Sequence, residues 1–396
     1  MKKYNALLIF LMVNLFVHAQ SSQVLRYSQE LKAQGQDPVD FVTRALTKTD
    51  LLIFDDALHS AYEPFVFYNQ LINSKSLAGK IDFIFLETIS TTAQPAIDNF
   101  LNGKVKDSTL LIKAFQDDYT GIGWNLQTYL DLFSTVWEHN RLVADSVKIK
   151  IIGVNPPIYW EGIHTKQDYE LFQNSLHARD YFMYLEILRT MDEFANGKKG
   201  LFLTNTRHAY KNIRNANGKL YWNTATFFSQ WHPGNTLSVR IHNVTLSIEA
   251  VKNMTGKTRG ELNEMNYRWI KMDNGRWDSA FALLGNKPVA ITLKDTNFGK
   301  TAYVGNHMLN VARHTTLYDA YDALLFLAPL TNLHFSAQFD YIYTPLFKPE
   351  LERRLRLLNE PDFNDLLKKN DATTFDDYFK KEFTSVPVRK NTLLKD

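Results

Sequence analysis

The chain has 396 residues, with 45% hydrophobic and 22% charged residues and a formal charge of +3. That balance is the one expected of a folded globular protein of one large or two ordinary domains, and it excludes disorder, a collagen-like repeat and a multi-span membrane protein. The charge excess is too small for a nucleic-acid footprint, and with no cysteine the chain can form no disulfide, thiolate metal site or cysteine nucleophile.

The first segment reads as a secretory signal. Lys2 and Lys3 precede an apolar run from Ala6 to Val17, and Val17-His18-Ala19 supplies the small-residue cleavage site. The apolar run is about a dozen residues where a span needs about 20. The expectation is therefore an exported protein, periplasmic or secreted, starting at Gln20 without a membrane anchor. Loss of Lys2 and Lys3 takes the formal charge from +3 to +1.

Short apolar runs then alternate with amphipathic stretches. Strands are expected at Leu51–Phe54, Ile81–Leu86, Val147–Val154 and Leu201–Thr204, with helices at Pro64–Asn73, Ala93–Leu101, Asn125–Arg141 and Lys166–Phe194. This alternation predicts an α/β fold, a mainly parallel sheet flanked by helices in three layers. The two longest helices are expected to pack as a pair. Further strands are expected at Thr236–Ile241 and Ala323–Leu327, separated by an insertion at about 245–320. Residues 20–347 form one domain in this reading. Residues 348–396 form a cap of short helices, Glu350–Leu358, Asp362–Lys368 and Asp376–Phe383, with a polar tail after Ser385.

Motifs with fixed spacing are missing. There is no His-Glu-x-x-His and no Gly-x-Ser-x-Gly, so neither a standard zincin nor a nucleophile elbow is present. Gly299-Lys300-Thr301 lacks the earlier glycine of a phosphate loop, and Gly121-Ile122-Gly123 lacks the third glycine of a dinucleotide fingerprint.

Ligand sites of open parallel sheets lie at the carboxyl ends of the strands, and here those ends are polar. The first strand runs into Asp55-Asp56-Ala57-Leu58-His59, the second into Glu87, the third into Asn155, and the fourth into Asn205-Thr206-Arg207-His208. Asp56 also suits a helix N-cap, and the two histidines taken singly suit surface loops. Glu87 follows Ile-Asp-Phe-Ile-Phe-Leu, so its carboxylate is expected to be poorly solvated and to need a partner or a proton. Arg179 falls in the apolar seam of Phe172, Leu176, Met183 and Ile187. It either snorkels to solvent or pairs with Glu87 or Asp56.

The order of these residues resembles the erythromycin esterase-like hydrolases and, more distantly, the haem-binding ChaN-like and the Tiki/TraB-like proteins. It comprises Asp56-x-x-His59, Glu87, Arg179-Asp180 with Met183, and His208, followed by the Trp231-His232-Pro233-Gly234 turn. The match covers about residues 45–245 and, weakly, Tyr321–Pro329. The family's first motif usually reads Gly-Glu-x-x-His; here Asp55 replaces the Gly and Asp56 the Glu. The resemblance implies an ester-type hydrolase acting on a small molecule through activated water. His59 or His208 would be the base, Glu87 or Asp56 would orient it, and Arg179 would hold the carboxylates or a developing oxyanion. Asn155, Asp180 and Tyr210 are candidate substrate contacts.

Two other readings follow from the distant relatives, and a third from the motif change. A Tiki-like site would bind a divalent metal through His59, Glu87 and His208. A ChaN-like protein would hold haem or another small ligand without catalysis, using aromatics such as Tyr119, Trp124, Trp137, Tyr159, Trp160 and Tyr210. The Asp55-Asp56 change would mark an inactive member kept for binding. The cofactor is left open, none or a divalent metal. Contact among His59, Glu87, Arg179 and His208 would favour the hydrolase.

Overall fold

A computed structural model describes residues 22–248, 267–304, 311–359 and 362–394. The expected signal, residues 1–19, lies outside them. A helix at 22–34 (α1) and Pro38–Ala45 (α2) lead into the first strand, β1 (Leu51–Asp55). Then come α3 (Tyr62–Ile72), β2 (Phe83–Ser90), α4 (Gln94–Asn102), α5 (Ile112–Gln116), α6 (Gln127–Leu142) and β3 (Lys150–Asn155). The chain continues through α7 (Lys166–Ser175), α8 (Arg179–Thr190), β4 (Gly200–Thr204), α9 (Thr206–Ala209), α10 (Thr224–Trp231) and β5 (Thr236–Ile241). Beyond these lie β6 (Thr245–Ile248), β7 (Tyr267–Ile270), β8 (Val289–Thr292) and β9 (Ala323–Phe326).

The main sheet has the order β3-β2-β4-β1-β5-β9-β8, parallel except for β8 at one edge. Its central strands read as continuous apolar runs because both faces are covered. Leu52, Phe54, Ile84, Leu86, Leu201 and Leu203 face one core, whereas Leu51, Ile53, Phe83, Phe85 and Phe202 face the other. Each such side chain contributes about 1.5–3 kcal/mol on burial. From β1 the chain crosses to β2 on one side, and after β4 it crosses back to β5 on the other. The reversal opens a crevice at the carboxyl ends of β1, β4 and β5.

Several expectations need correction. The long helix over Lys166–Phe194 is broken: α7 ends at Ser175, a 3-10 turn covers Leu176–Ala178, and α8 starts at Arg179. Arg179 therefore opens a helix and is not a mid-seam residue. The two long helices do not pair, because Tyr129, Phe133 and Val136 of α6 enter one core and Met183, Ile187 and Leu188 of α8 enter the other. The expected insertion contributes β8 to the sheet, paired antiparallel with β9; four residues after a proline give too short a signal to read. The tail beyond Ser385 is tied down, with Arg389 and Lys390 pairing Phe335 and His334.

The helices Lys348–Leu358, Phe363–Lys369 and Phe375–Glu382 form the C-terminal cap around their own apolar cluster. Arg354 joins it to the rest of the molecule. Only 1% exposed, it donates to Gln116 O, Asp117 Oδ1 and Glu350 Oε1 and lies over the rings of Trp160 and Phe347.

Candidate active site

Strand β2 runs past its expected end to Ser90, with a register shift after Leu86, where its pairing with β4 also stops. Glu87 sits at that break. The gap exposes its carboxylate to the start of the β4 loop, so Thr204 Oγ1 and Asn205 N donate to Oε2 at 2.6 and 3.1 Å. Arg179 Nη2 donates to Oε1 at 2.8 Å, and Arg179 Nε donates to Asn155 Oδ1 at 2.7 Å. The guanidinium is stacked on Tyr119, 4.3 Å from the ring centre. The arginine thus pairs with Glu87, one of the two partners open to it from sequence.

Asp55 and Asp56 leave β1 in opposite directions. Asp55 accepts from Ala57 N, Thr206 Oγ1 and Tyr321 Oη. It fastens a turn in which Ala57 adopts φ 61°, a left-handed conformation disfavoured for a side chain with Cβ. That turn swings His59 back over the sheet. Its Nδ1 lies 3.2 Å from Asp56 Oδ2 and 3.3 Å from Tyr129 Oη. Its Nε2 lies 2.9 Å from Asn205 Nδ2 and 3.3 Å from Glu87 Oε2, and the ring stands edge-on to Trp124.

The second histidine is more enclosed. His208 Nδ1 is 2.7 Å from Asp180 Oδ1, and Asp180 also accepts from Thr224 N and Thr224 Oγ1 at the start of α10. His208 Nε2 comes within 3.2 Å of Glu87 Oε1, ion-pair range, without a hydrogen bond. Five of the residues expected at the site, Asp56, His59, Glu87, Arg179 and His208, therefore form one connected cluster.

Electrostatics divides their roles. Burial alone would raise Glu87, but His208, His59 and Arg179 together hold it well below the usual carboxylate range. Burial would lower both histidines, but the carboxylates outweigh it. Glu87 and Asp56 keep His59 well above its ordinary value, and Asp180 and Glu87 raise His208 to about 9. Asp56 is pushed up to about 6 by burial, against the pull of His59.

The Asn205 amide is oriented because its Oδ1 accepts from Arg207 N. Its Nδ2 therefore points at His59 Nε2, which accepts when the ring is neutral, while Nδ1–H donates to Asp56. The protonated ring instead finds Glu87 Oε2 for its Nε2–H. His59 thus has a partner ready in each state, and because its raised value keeps the proton on near neutral pH, the ring can accept a proton only after losing that one, on the alkaline side.

A cavity of about 320 Å³ opens on this cluster, lined among others by His59, Tyr119, Asn205, Arg207, Arg240 and Trp269. Of the five clustered residues only His59 lines it; Asp56, Glu87, Arg179 and His208 lie behind it. The three expected substrate contacts do not line it either: Asn155 holds Arg179, Asp180 holds His208, and Tyr210 is buried in the core against Tyr303. Asn205, Arg207 and Arg240 were missed as site residues. The first two lie in the polar run after the fourth strand, so placement could have flagged them; Arg240 lies within a strand, where nothing in the pattern marked it.

A metal on His59, Glu87 and His208 does not fit these surroundings. Both oxygens of Glu87 already take protein donors, one of them a guanidinium. Among the described residues no group of three or more His, Asp or Glu is arranged to hold a metal ion. The aromatics expected for haem do not share a wall: Tyr119 lies under Arg179, Trp160 is buried beneath the cap, and Tyr159 is exposed.

No protein-family model matches the chain, and no curated protein matches it by sequence. Several solved structures align with it at low identity. A succinoglycan biosynthesis protein aligns with TM-score 0.51 at 10% identity over 77% of this chain and 96% of its own. A Bacillus cereus protein aligns with TM-score 0.48 at 13% identity, over 76% and 96%. An erythromycin esterase mutant in its open conformation aligns with TM-score 0.49 at 9% identity, over 72% and 92%. The relationship is distant and speaks to the fold alone. No helix among the described residues is long and apolar enough to cross a membrane.

Proposed function

We propose that this chain is a hydrolase that cleaves an ester or related bond of a small molecule with water activated at His59. The observation that carries the reading is that His59 both lines the cavity and touches the two buried carboxylates. Water replacing the Asn205 amide at Nε2 would give up a proton to the ring as it attacks the carbonyl carbon. Asp56 orients the ring through Nδ1, and Glu87 Oε2 receives the new Nε2–H. The same proton then returns to the leaving oxygen. Arg179 and His208 are positioning residues that hold Glu87 ionised and in place. The order of motifs shared with the erythromycin esterase-like hydrolases supports the same class.

His59→Ala tests this against a panel of p-nitrophenyl esters. Turnover should fall by about 10²–10⁴-fold, the contribution of a general base, with circular dichroism and the unfolding midpoint nearly unchanged. Full activity in the variant would sink the assignment. The reading also takes the protein as exported, and Edman sequencing of the secreted product should begin at Gln20.

A further inference from the structure

The cavity wall has a charge pattern that ester hydrolysis alone does not require. Among the described residues no Asp or Glu lines it, yet two arginines do. Arg240, only 3% exposed, uses Nη2 to donate to Thr245 Oγ1 at 2.7 Å, and its Nη1 has no hydrogen-bond partner. Asp55 stands opposite it in register, but that carboxylate is taken by Ala57, Thr206 and Tyr321. Among the described residues Arg240 makes no ion pair. Arg207 is exposed at the cavity and its guanidinium likewise has no carboxylate partner there.

A buried guanidinium is costly unless something compensates it, and elsewhere in this molecule compensation is supplied: Arg179 by Glu87, Arg354 by Asp117 and Glu350. Arg240, buried with only a hydroxyl, a methionine sulfur and the Tyr321 ring around its charge, and the exposed Arg207 share one cavity with the apolar surfaces of Leu246 and Trp269, a wall suited to a ligand that brings its own negative charge. Planar N–H forks match carboxylate, phosphate and sulfate oxygens.

We propose that the cavity binds an anionic ligand, with a carboxylate, phosphate or sulfate group held by Arg207 and Arg240 and an apolar or aromatic body against Leu246 and Trp269. Resting on the hydrolase reading, this narrows the substrate to an anionic ester with its reactive bond turned toward His59.

Isothermal titration of the purified protein with inorganic phosphate, sulfate and benzoate separates the three anion types without needing turnover. At least one should bind saturably, more weakly as salt is raised. Arg207→Ala, a surface change that should leave folding intact, should weaken that binding tenfold or more, and Arg240→Gln should remove it. No saturable binding of any probe, or unchanged binding in Arg207→Ala, overturns the proposal. Hydrolysis of neutral esters without anion binding would remove the anion site and leave the hydrolase; anion binding without hydrolysis would do the reverse.

Discussion

Arg354 at the cap junction and Arg240 at the cavity are both almost wholly buried, but their surroundings are opposite. Arg354 is held by two carboxylates, a backbone carbonyl and two aromatic rings. Arg240 has a hydroxyl, a distant methionine sulfur and the ring of Tyr321. The first joins parts of the fold, whereas the second leaves binding capacity unused. Burial alone does not tell a structural charge from a functional one; the partner list does.

The sharpest way to break this contrast is Arg354→Met. Removing it takes away the buried cation that Asp117 and Glu350 share and leaves them only the more exposed Lys113 and Arg353, so the cost should approach the lower end, about 3 kcal/mol, of breaking a buried pair. Urea unfolding followed by circular dichroism should show that loss. If the variant were as stable as the parent, the cap would not depend on its arginine.

A smaller effect separates the site cluster from the cap by pH. His208 is raised from its ordinary value to about 9 in the folded protein, so it adds stability that is complete below about 6.5 and disappears as pH rises toward 9. His59 acts in the same direction. At the cap junction Glu350 is shifted downward, away from that window: burial opposes the shift, but bonds from Arg353 and Arg354 prevail. Melting temperature should therefore fall between pH 6.5 and 9, and Asp180→Asn should flatten the slope. A slope unchanged by that substitution would detach His208 from the effect.

The smallest change is expected for Arg240→Met. Replacing a buried charge that lacks an ion partner by an apolar side chain is often neutral, so stability should stay within about 1 kcal/mol of the parent in the same urea assay. A loss equal to that of Arg354→Met would erase the distinction.

The sheet was legible because β1, β2 and β4 are apolar runs buried on both faces, and the cluster was legible because strand ends in such sheets collect polar groups. Asp56, His59, Glu87, Arg179 and His208 met as their order suggested. What one dimension concealed was direction. Whether a side chain turns toward the cavity or behind it depends on local breaks, such as the turn at Ala57 and the register shift after Leu86. Asn155 and Asp180 are in the right place but hold other residues. Arg240 was invisible because a cationic residue in a strand gives no sign of which charges lie across from it. The break before α8 was hidden because Leu176-His177-Ala178 keeps the helical apolar spacing.

The paired aspartates after β1 also bear on how the chain finds its alignment. A strand reading Leu-Leu-Ile-Phe, apolar on both sides, would bury itself about equally well if it slid by one residue against β4 and β5. Such a slip would exchange the directions of Asp55 and Asp56, placing one carboxylate away from Tyr321 and Thr206 and the other away from His59. Each would be buried without its partners. The dipeptide therefore works as a registration mark, penalising misaligned pairings during folding at the positions that the chemistry later uses.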